Sequence, residues 1–466
     1  MNILCALQEI KYNGLREKFK EIYGSDENIL EYQKQRYVDA VTRFGKYFPH
    51  REDVRIFSAS GRTEIGGNHT DHQHGCVLAA AVNLDAISVA AFHDEKIIRV
   101  RSEGYEPFSV KLDNLAVTSE DVGTAAIIRG IAAKFNEIGV NIGGFDLYCI
   151  SDVLSGSGIS SSAAFETLIG TIIDSYYNKN NAGAIEIAKI GQFAENIYFG
   201  KNSGLMDQTV SSVGGLVFID FFDTENPKVE SFTFDFEEYG YCICITDTKS
   251  SHDDLTADYS AIRNEMESVA KYFGKPHLRL VSEAAFYNNI PEIRQNCSDR
   301  AIIRAAHFFE ENTRAKHEAS ALKDGNIELF LELVRKSGHS SATLLQNQYS
   351  CSNPENQAIT LAIMTSRKLL EDRGAVRVHG GGFAGTIQAF VPLELADAYT
   401  TEMNRIFGDG SCQKLRIRPV GGVEITKEEA YYAYFGTWRC GLYRLASVTI
   451  STLPTLHRHI FLRCSI

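Results

Sequence analysis

The sequence predicts an α+β chain of two domains. Its 466 residues are more than a single core usually organises. Strand-like and helix-like segments interleave without a steady βαβ rhythm, which argues against a doubly wound parallel sheet. Residues 223–228 (Asp-Thr-Glu-Asn-Pro-Lys) form a polar, proline-bearing break, the best candidate for a domain boundary. The expected organisation is a helical lead-in over 1–50, an N-terminal domain over 51–222, a C-terminal domain over 223–430 and a tail over 431–466.

In chain order, Leu15, Phe19, Ile22 and Tyr23 recur at helical spacing in the lead-in. Residues 55–60 read as a strand that ends at Gly61. A polar, glycine-rich stretch follows through Gly75, and then a run of small apolar residues over 77–89. Residues 125–138 predict an amphipathic helix and 145–150 a strand. A Gly/Ser loop leads to a helix from about Ala163, and 184–199 predict another. Residues 216–222 alternate as a strand does. The second half predicts strands at 241–246, 375–378, 386–391 and 414–419. It predicts helices at 256–273, 300–311, 327–336, 357–372 and 393–406. In the first of these strands Cys242 and Cys244 point to one buried side. The tail has no acidic residue after Glu429 but carries Arg439, Arg444, Arg458, Arg463 and the only tryptophan, Trp438. It reads as a poorly packed extension ahead of a functional basic segment.

Composition is that of an ordinary globular protein, 44% hydrophobic and 23% charged. A net charge of −12 lacks the basic face of a nucleic-acid binder, while leaving a local nucleotide site possible. The 10 cysteines are scattered, with no CxxC pair, and no signal peptide is recognisable, so a reducing cytoplasm is expected. No apolar run is long enough for a membrane span.

Four segments carry chemistry. Residues 154–164 place Gly156 and Gly158 between a strand and a helix start, where free N–H groups meet an anion. Ser160, Ser161 and Ser162 add hydroxyls and a possible Mg²⁺ ligand. No Gly-Lys-Ser/Thr follows, so this is no Walker loop. An ordinary loop with a serine N-cap explains the same residues. Residues 61–75 crowd Arg62, Asn68, His69, Asp71, His72 and His74 into one turn. Such a set suits hydrogen bonding to a polyhydroxylated ligand better than zinc, whose helical HExxH spacing is missing.

Glu195, late on a helix, and Asp207, in a turn before an apolar segment, suit a Mg²⁺ ligand and a group facing an acceptor hydroxyl. A surface glutamate and a capping aspartate would look the same. Residues 377–385 match G-x-G-x-x-G at Gly380, Gly382 and Gly385, but a strand follows where a dinucleotide site requires a helix. A glycine-rich strand–turn–strand packed against a ligand or loop fits instead.

In this order the four segments resemble the GHMP kinases, and among them the galactokinase family. Residues 61–71 resemble the galactokinase signature and Gly156–Ala163 the motif that wraps ATP phosphates. Residues 204–208 resemble the segment with the catalytic aspartate, and Gly380–Gly385 the third, glycine-rich motif. The resemblance spans roughly residues 50–430 and implies a two-domain GHMP kinase fold with the active site in the interdomain cleft. It implies an ATP- and Mg²⁺-dependent phosphotransferase acting on a sugar hydroxyl, galactose first. Arg62 would neutralise the transferring phosphoryl group and Asp207 would orient or deprotonate the hydroxyl. Ser162 (or Ser161) and Glu195 would bind Mg²⁺. Gly156, Ser157, Gly158, Ile159, Ser160, Ser161 and Ser162 would hold ATP. Asn68, His69, Asp71 and Tyr259 would meet the sugar, and Gly380, Gly381, Gly382 and Gly385 would close the site.

The sequence departs from the family at Asn68, where a glutamate that contacts the sugar's hydroxymethyl end is usual. It departs also at Ser60 and Leu154, where prolines are usual, and at Ser155 and Ala384. The phosphoryl machinery is intact and the sugar-recognition shell altered. The alternatives are a GHMP kinase for another acceptor, such as N-acetylgalactosamine, a non-catalytic ATP- and sugar-binding sensor, and a metal-binding protein built on the histidines. A monomer or weak oligomer is expected, with small molecules and no nucleic acid or membrane as partners.

Overall fold

Two mixed layers of sheet and helix build the chain, whose computed structural model describes residues 1–117, 123–153, 159–201, 203–250 and 255–426. Leu154–Gly158 of the expected phosphate loop and the whole 431–466 tail lie outside these residues. The elements in order are α1 (Ile3–Lys11), α2 (Arg16–Tyr23), α3 (Glu27–Tyr47), β1 (Arg55–Gly66), β2 (Cys76–Phe92), β3 (Ile97–Ser102), β4 (Phe108–Lys111), α4 (Thr124–Glu137), β5 (Phe145–Ser151), α5 (Ser161–Tyr177), α6 (Gly183–Phe193), α7 (Met206–Val213), β6 (Leu216–Asp220) and β7 (Lys228–Phe232). There follow β8 (Tyr241–Asp247), α8 (Thr256–Tyr272), α9 (Glu283–Asn288), α10 (Ile290–Ile293), α11 (Asp299–Lys323), α12 (Ile327–Ser340), α13 (Ala358–Leu370), β9 (Ala375–His379), β10 (Thr386–Pro392), α14 (Ala396–Phe407), β11 (Cys412–Leu415) and β12 (Val423–Glu424).

The first sheet runs β12-β1-β2-β5-β3-β4. Residues Cys76–Ala80 of β2 pair with β6, while Ala86–Phe92 pair with β5, so β5 and β6 share one edge of the long strand. Among the described strands of this sheet, β3 and β5 alone run parallel. Both faces are covered, and alternate residues take opposite sides. Phe57, Ala86, Ala90, Phe145 and Leu147 join α4–α6, whereas Ile56, Ile87, Val89, Tyr148 and Ile150 join α1–α3. Burial on both faces is why β2 reads as an unbroken apolar run.

The second sheet, β11-β8-β10-β9, is antiparallel throughout. Ile243, Ile245 and Phe390 pack on α11 and α12 in a core that also takes Ile65, Leu78 and Leu216 from the first sheet. The two sheets therefore share apolar interior, and Met1–Ile425 pack as one compact unit. On the far face Cys242 and Cys244 point together under α13 and α14, their Sγ atoms 3.9 Å apart. No described helix is long and apolar enough to cross a membrane.

Several elements differ from expectation. β1 continues past Gly61 to Gly66, because Thr63 and Glu64 are buried against polar partners on the second sheet. α11 runs on to Lys323 rather than ending at Glu311, since Ala315, Ala319 and Leu322 keep facing the core. β11 covers Cys412–Leu415, short of the expected 414–419. The strands β3, β4 and β7 and the short helices α9 and α10 were not expected.

Candidate active site

The centre of the site is an ion pair between residues 145 positions apart. The register of β1 against β2 shifts between Ser60 and Arg62, an irregularity that re-aims the following side chain. Gly61 lies against Ile159, whose Cγ2 would be 2.6 Å from any added Cβ, so only glycine lets β1 come this close. The Arg62 backbone N–H donates to Ile159 O at 2.9 Å. Its guanidinium then forks onto Asp207, Nε to Oδ1 and Nη2 to Oδ2, both at 2.7 Å. This is the bidentate geometry that makes an arginine–carboxylate pair strong and directional.

Asp207 was expected in a turn but occupies the first turn of α7. Ser160, in the left-handed region at φ 59°, donates its Oγ–H to Asp207 Oδ2 at 2.7 Å. Burial alone would raise the Asp207 carboxyl. The Arg62 charge and the hydrogen bonds from Arg62 and Ser160 outweigh it and hold the group below its ordinary value. Asp207 is therefore ionised at neutral pH.

Glu195 sits in a π-helical turn, Ala194–Phe199, that extends α6. Such turns often mark functional positions. Its Oε2 accepts from Gln208 Nε2 at 2.9 Å and its Oε1 from Lys201 Nζ at 2.7 Å. Gln208 Nε2 also donates to Glu166 Oε2 at 2.9 Å. Burial and the nearby Glu195 charge push the Glu166 carboxyl up to about 8.

A polar cleft of about 440 Å³ opens over the Arg62–Asp207 pair, lined among others by His69, Asp71, Tyr259 and Arg263. Among the described residues the Asp71 side chain makes no hydrogen bond or ion pair, which leaves it free to accept from a ligand hydroxyl. His69, at φ 59°, donates Nε2–H to Gly381 O at 2.9 Å. Tyr259 donates its hydroxyl to Gly382 O at 3.0 Å and lays its ring over Gly381, where an added Cβ would be 2.5 Å from Cε1. The glycine-rich segment is a turn between β9 and β10, as the sequence predicts, with Gly380, Gly382 and Gly385 at φ 68°, 80° and 87°. Its carbonyls thus hold residues of the signature turn. His72 and Arg263 also line the cleft. The signal for Arg263 was its i+4 spacing from Tyr259 on α8.

Asn68 also lines this cleft, and its side chain is tied into the wall behind it. It is 1% exposed, and its amide donates to Glu64 Oε1 at 3.0 Å and to Gly380 O at 2.7 Å. Its Oδ1 accepts from Asn347 at 3.0 Å, and its backbone carbonyl accepts from His307 at 3.0 Å. Behind it Arg377 pairs with Glu64, and Arg314 with Glu311. Burial opposes ionisation of Glu311, but Arg314, His307 and Arg377 hold its carboxyl down to about 2. The ordinary glutamate value is 4.5. A depressed carboxyl adds stability that is present above its unfolded value and is lost as pH falls from there through about 2. Glu311→Gln is expected to cost on the order of 3 kcal/mol at pH 7 and little near pH 2. Denaturant titrations at the two pH values check this.

Ser161 and Ser162, at the start of α5, line a second cleft of about 900 Å³ with Phe108, Phe165 and Phe199. Neighbouring serines thus serve two clefts: Ser160 faces Asp207, and Ser161 and Ser162 face the more apolar space. The histidines of 61–75 diverge. The rings of His69 and His72 are 5.6 Å apart, while His74 stacks on His277 at 3.9 Å. Among the described residues no three His, Cys, Asp or Glu side chains are grouped to hold a metal ion.

Two family models match the chain: the N-terminal domain of GHMP kinases over residues 126–215, and the galactokinase galactose-binding signature over residues 42–92. Among solved structures the chain is similar to Lactococcus lactis galactokinase complexed with galactose, at 22% identity and TM-score 0.69, over 89% of this chain and 100% of that one. It is similar to Methanococcus jannaschii mevalonate kinase, at 18% and 0.56, over 78% and 98%. It is also similar to a D-glycero-D-manno-heptose 1-phosphate kinase from Bacteroides thetaiotaomicron, at 14% and 0.54, over 81% and 100%. At these identities the structural likeness shows the fold.

Proposed function

We propose that this chain, which matches the GHMP kinase N-terminal domain over residues 126–215 and the galactokinase galactose-binding signature over residues 42–92, is a GHMP kinase that moves the terminal phosphoryl group of ATP to a hydroxyl of galactose, giving galactose 1-phosphate and ADP. The observation that carries the reading is the Arg62–Asp207 fork at the floor of a polar cleft, one serine away from a larger, more apolar cleft. In this reading the polar cleft takes the sugar and the apolar one the adenine. Ile159, Ser160, Ser161 and Ser162, with Gly156, Ser157 and Gly158, meet the phosphates between them.

Phosphoryl transfer asks the protein for alignment and charge stabilisation more than for covalent chemistry. The sugar oxygen forms the new bond to phosphorus, the bond to the bridging oxygen of ADP breaks, and the hydroxyl proton leaves. Asp207, held well ionised by Arg62, is a weak base. It accepts a hydrogen bond from the hydroxyl and orients its lone pair, taking the proton as the oxygen's charge falls. Arg62 offsets the charge on the transferring group. Asp71, His69 and Tyr259 fix the ring, and Asn68 braces them from behind through the glycine-rich turn.

A carboxylate and serine hydroxyls are the hard oxygen ligands that Mg²⁺ takes, and Lys201 already places a cation on Glu195 Oε1. Glu195 and Ser162 (or Ser161) would hold Mg²⁺, which when bound neutralises charge on the ATP phosphates. We take residues 51–222 and 223–430 as the two lobes that flank the cleft, and read the protein as a cytoplasmic monomer or weak oligomer. One observation favours a second reading. The Asn68 amide is fully engaged and carries no charge, so the acceptor can be another sugar such as N-acetylgalactosamine. A panel of sugars competed against galactose in an ADP-release assay ranks the acceptors. Galactose outcompeting N-acetylgalactosamine supports the first reading, and the reverse order moves the substrate. ATP binding without turnover on any sugar makes the protein a sensor.

A further inference from the structure

Consecutive residues on a helix point about 100° apart. On α7 this sends Asp207 to the sugar cleft and Gln208 towards α5 and α6. Gln208 is 1% exposed, Glu166 0% and Glu195 2%. An amide nitrogen has two hydrogens, and Gln208 Nε2 spends both, one on Glu166 Oε2 and one on Glu195 Oε2, each at 2.9 Å. Turning the amide over would take the N–H from Glu195 Oε2 and set the amide carbonyl oxygen against it, so Glu195 favours this orientation. Glu195 Oε2 is thereby engaged, while Oε1 meets the half-exposed Lys201.

The arrangement is costly as mere filling, since three buried polar groups desolvate where apolar side chains would pack more cheaply. It is also closely fitted. At Gly191 of α6 an added Cβ would lie 3.2 Å from Glu166 Cβ and 3.3 Å from Gln208 Cγ. Groups that bond to a metal ligand from behind set its orientation and hence the affinity of the site.

We propose that Gln208, braced by Glu166, is a positioning residue that fixes the side chain of Glu195 and so sets the affinity of the active site for its divalent cation. The proposal rests on the reading of Glu195 as a cation ligand.

Mn²⁺ binding to the full-length chain with ADP present, read by electron paramagnetic resonance of the free ion, tests it. Gln208→Met is expected to weaken Mn²⁺ binding by about 10- to 100-fold, and to raise KM for Mg·ATP by more than KM for the sugar. Glu166→Leu is expected to act in the same direction, whereas Glu166→Gln, which keeps an acceptor oxygen, restores binding. If Gln208→Met does not fold, the Glu166 pair carries the test. Mn²⁺ affinity of the wild-type order in folded Gln208→Met and Glu166→Leu, with Glu195→Ala weakened, overturns the proposal alone. Wild-type affinity in Glu195→Ala overturns the cation reading of Glu195 and the proposal with it. Loss of affinity in Glu166→Gln equal to that in Glu166→Leu overturns the bracing role of Glu166.

Discussion

Asp207→Asn is expected to lower kcat by about 10²- to 10⁴-fold, with a smaller change in KM for the sugar. The amide keeps the size of the side chain but cannot accept both arms of the Arg62 fork together with the Ser160 hydroxyl. Arg62→Met is expected to cost about 10²- to 10³-fold, as loss of a charge-stabilising donor does. The two variants differ in pH behaviour. In the wild type the Arg62 guanidinium and two hydrogen-bond donors hold Asp207 low despite its burial, so protonation of Asp207 sets no acid limb near neutrality. Without Arg62, burial dominates and the carboxyl rises. Residual activity of Arg62→Met then falls as pH drops through the raised value. The double variant is expected to lose no more than the worse single one, because the pair acts as a unit. Steady-state kinetics across pH check all three.

Asp85→Ala is expected to give the largest loss of stability. Asp85, on β2, is fully buried and meets Arg36 from α3 and Arg418, which lies between β11 and β12. Tyr23 donates to it at 2.6 Å and Ser58 donates as well. The cluster ties the helical lead-in and the end of the described chain to one strand. Removing the carboxylate leaves two buried guanidinium groups facing each other, which costs about 3–5 kcal/mol. Burial raises the Asp85 carboxyl, but Arg36 and Arg418 more than offset this and hold it below its ordinary value. Its contribution is therefore present above the ordinary aspartate range and is lost as pH falls through the lowered value. Thermal melts of wild type and variant are expected to differ widely at pH 7 and to converge in acid.

Much of this architecture was legible because burial leaves a periodic trace. The strand at 145–150 and the helices near 125, 256 and 327 announce themselves by period alone, and the glycine-rich turn was rightly separated from a dinucleotide site by the strand that follows it. What escaped were elements whose residues look polar but are buried with partners from far away. Thr63 and Glu64 read as loop, yet they continue β1 because His379 and Arg377, more than 300 positions on, satisfy them. Asn68 was expected to meet the sugar and does line the cleft; its additional bonds to Glu64, Gly380 and Asn347 exist only once the second sheet is in place. Glu166 gave no signal, being one glutamate in a helix. The pairing of Arg62 with Asp207 was visible through the order of the motifs, not through any local pattern.

The central claim is transfer of a phosphoryl group from ATP to galactose, and ³¹P nuclear magnetic resonance of the full-length protein with ATP, Mg²⁺ and galactose tests it most directly. The account predicts a sugar 1-phosphate resonance that grows in step with ADP and is lost in Asp207→Ala. ADP formed with inorganic phosphate and no sugar phosphate, or product formation that Asp207→Ala retains at the wild-type rate, would contradict it.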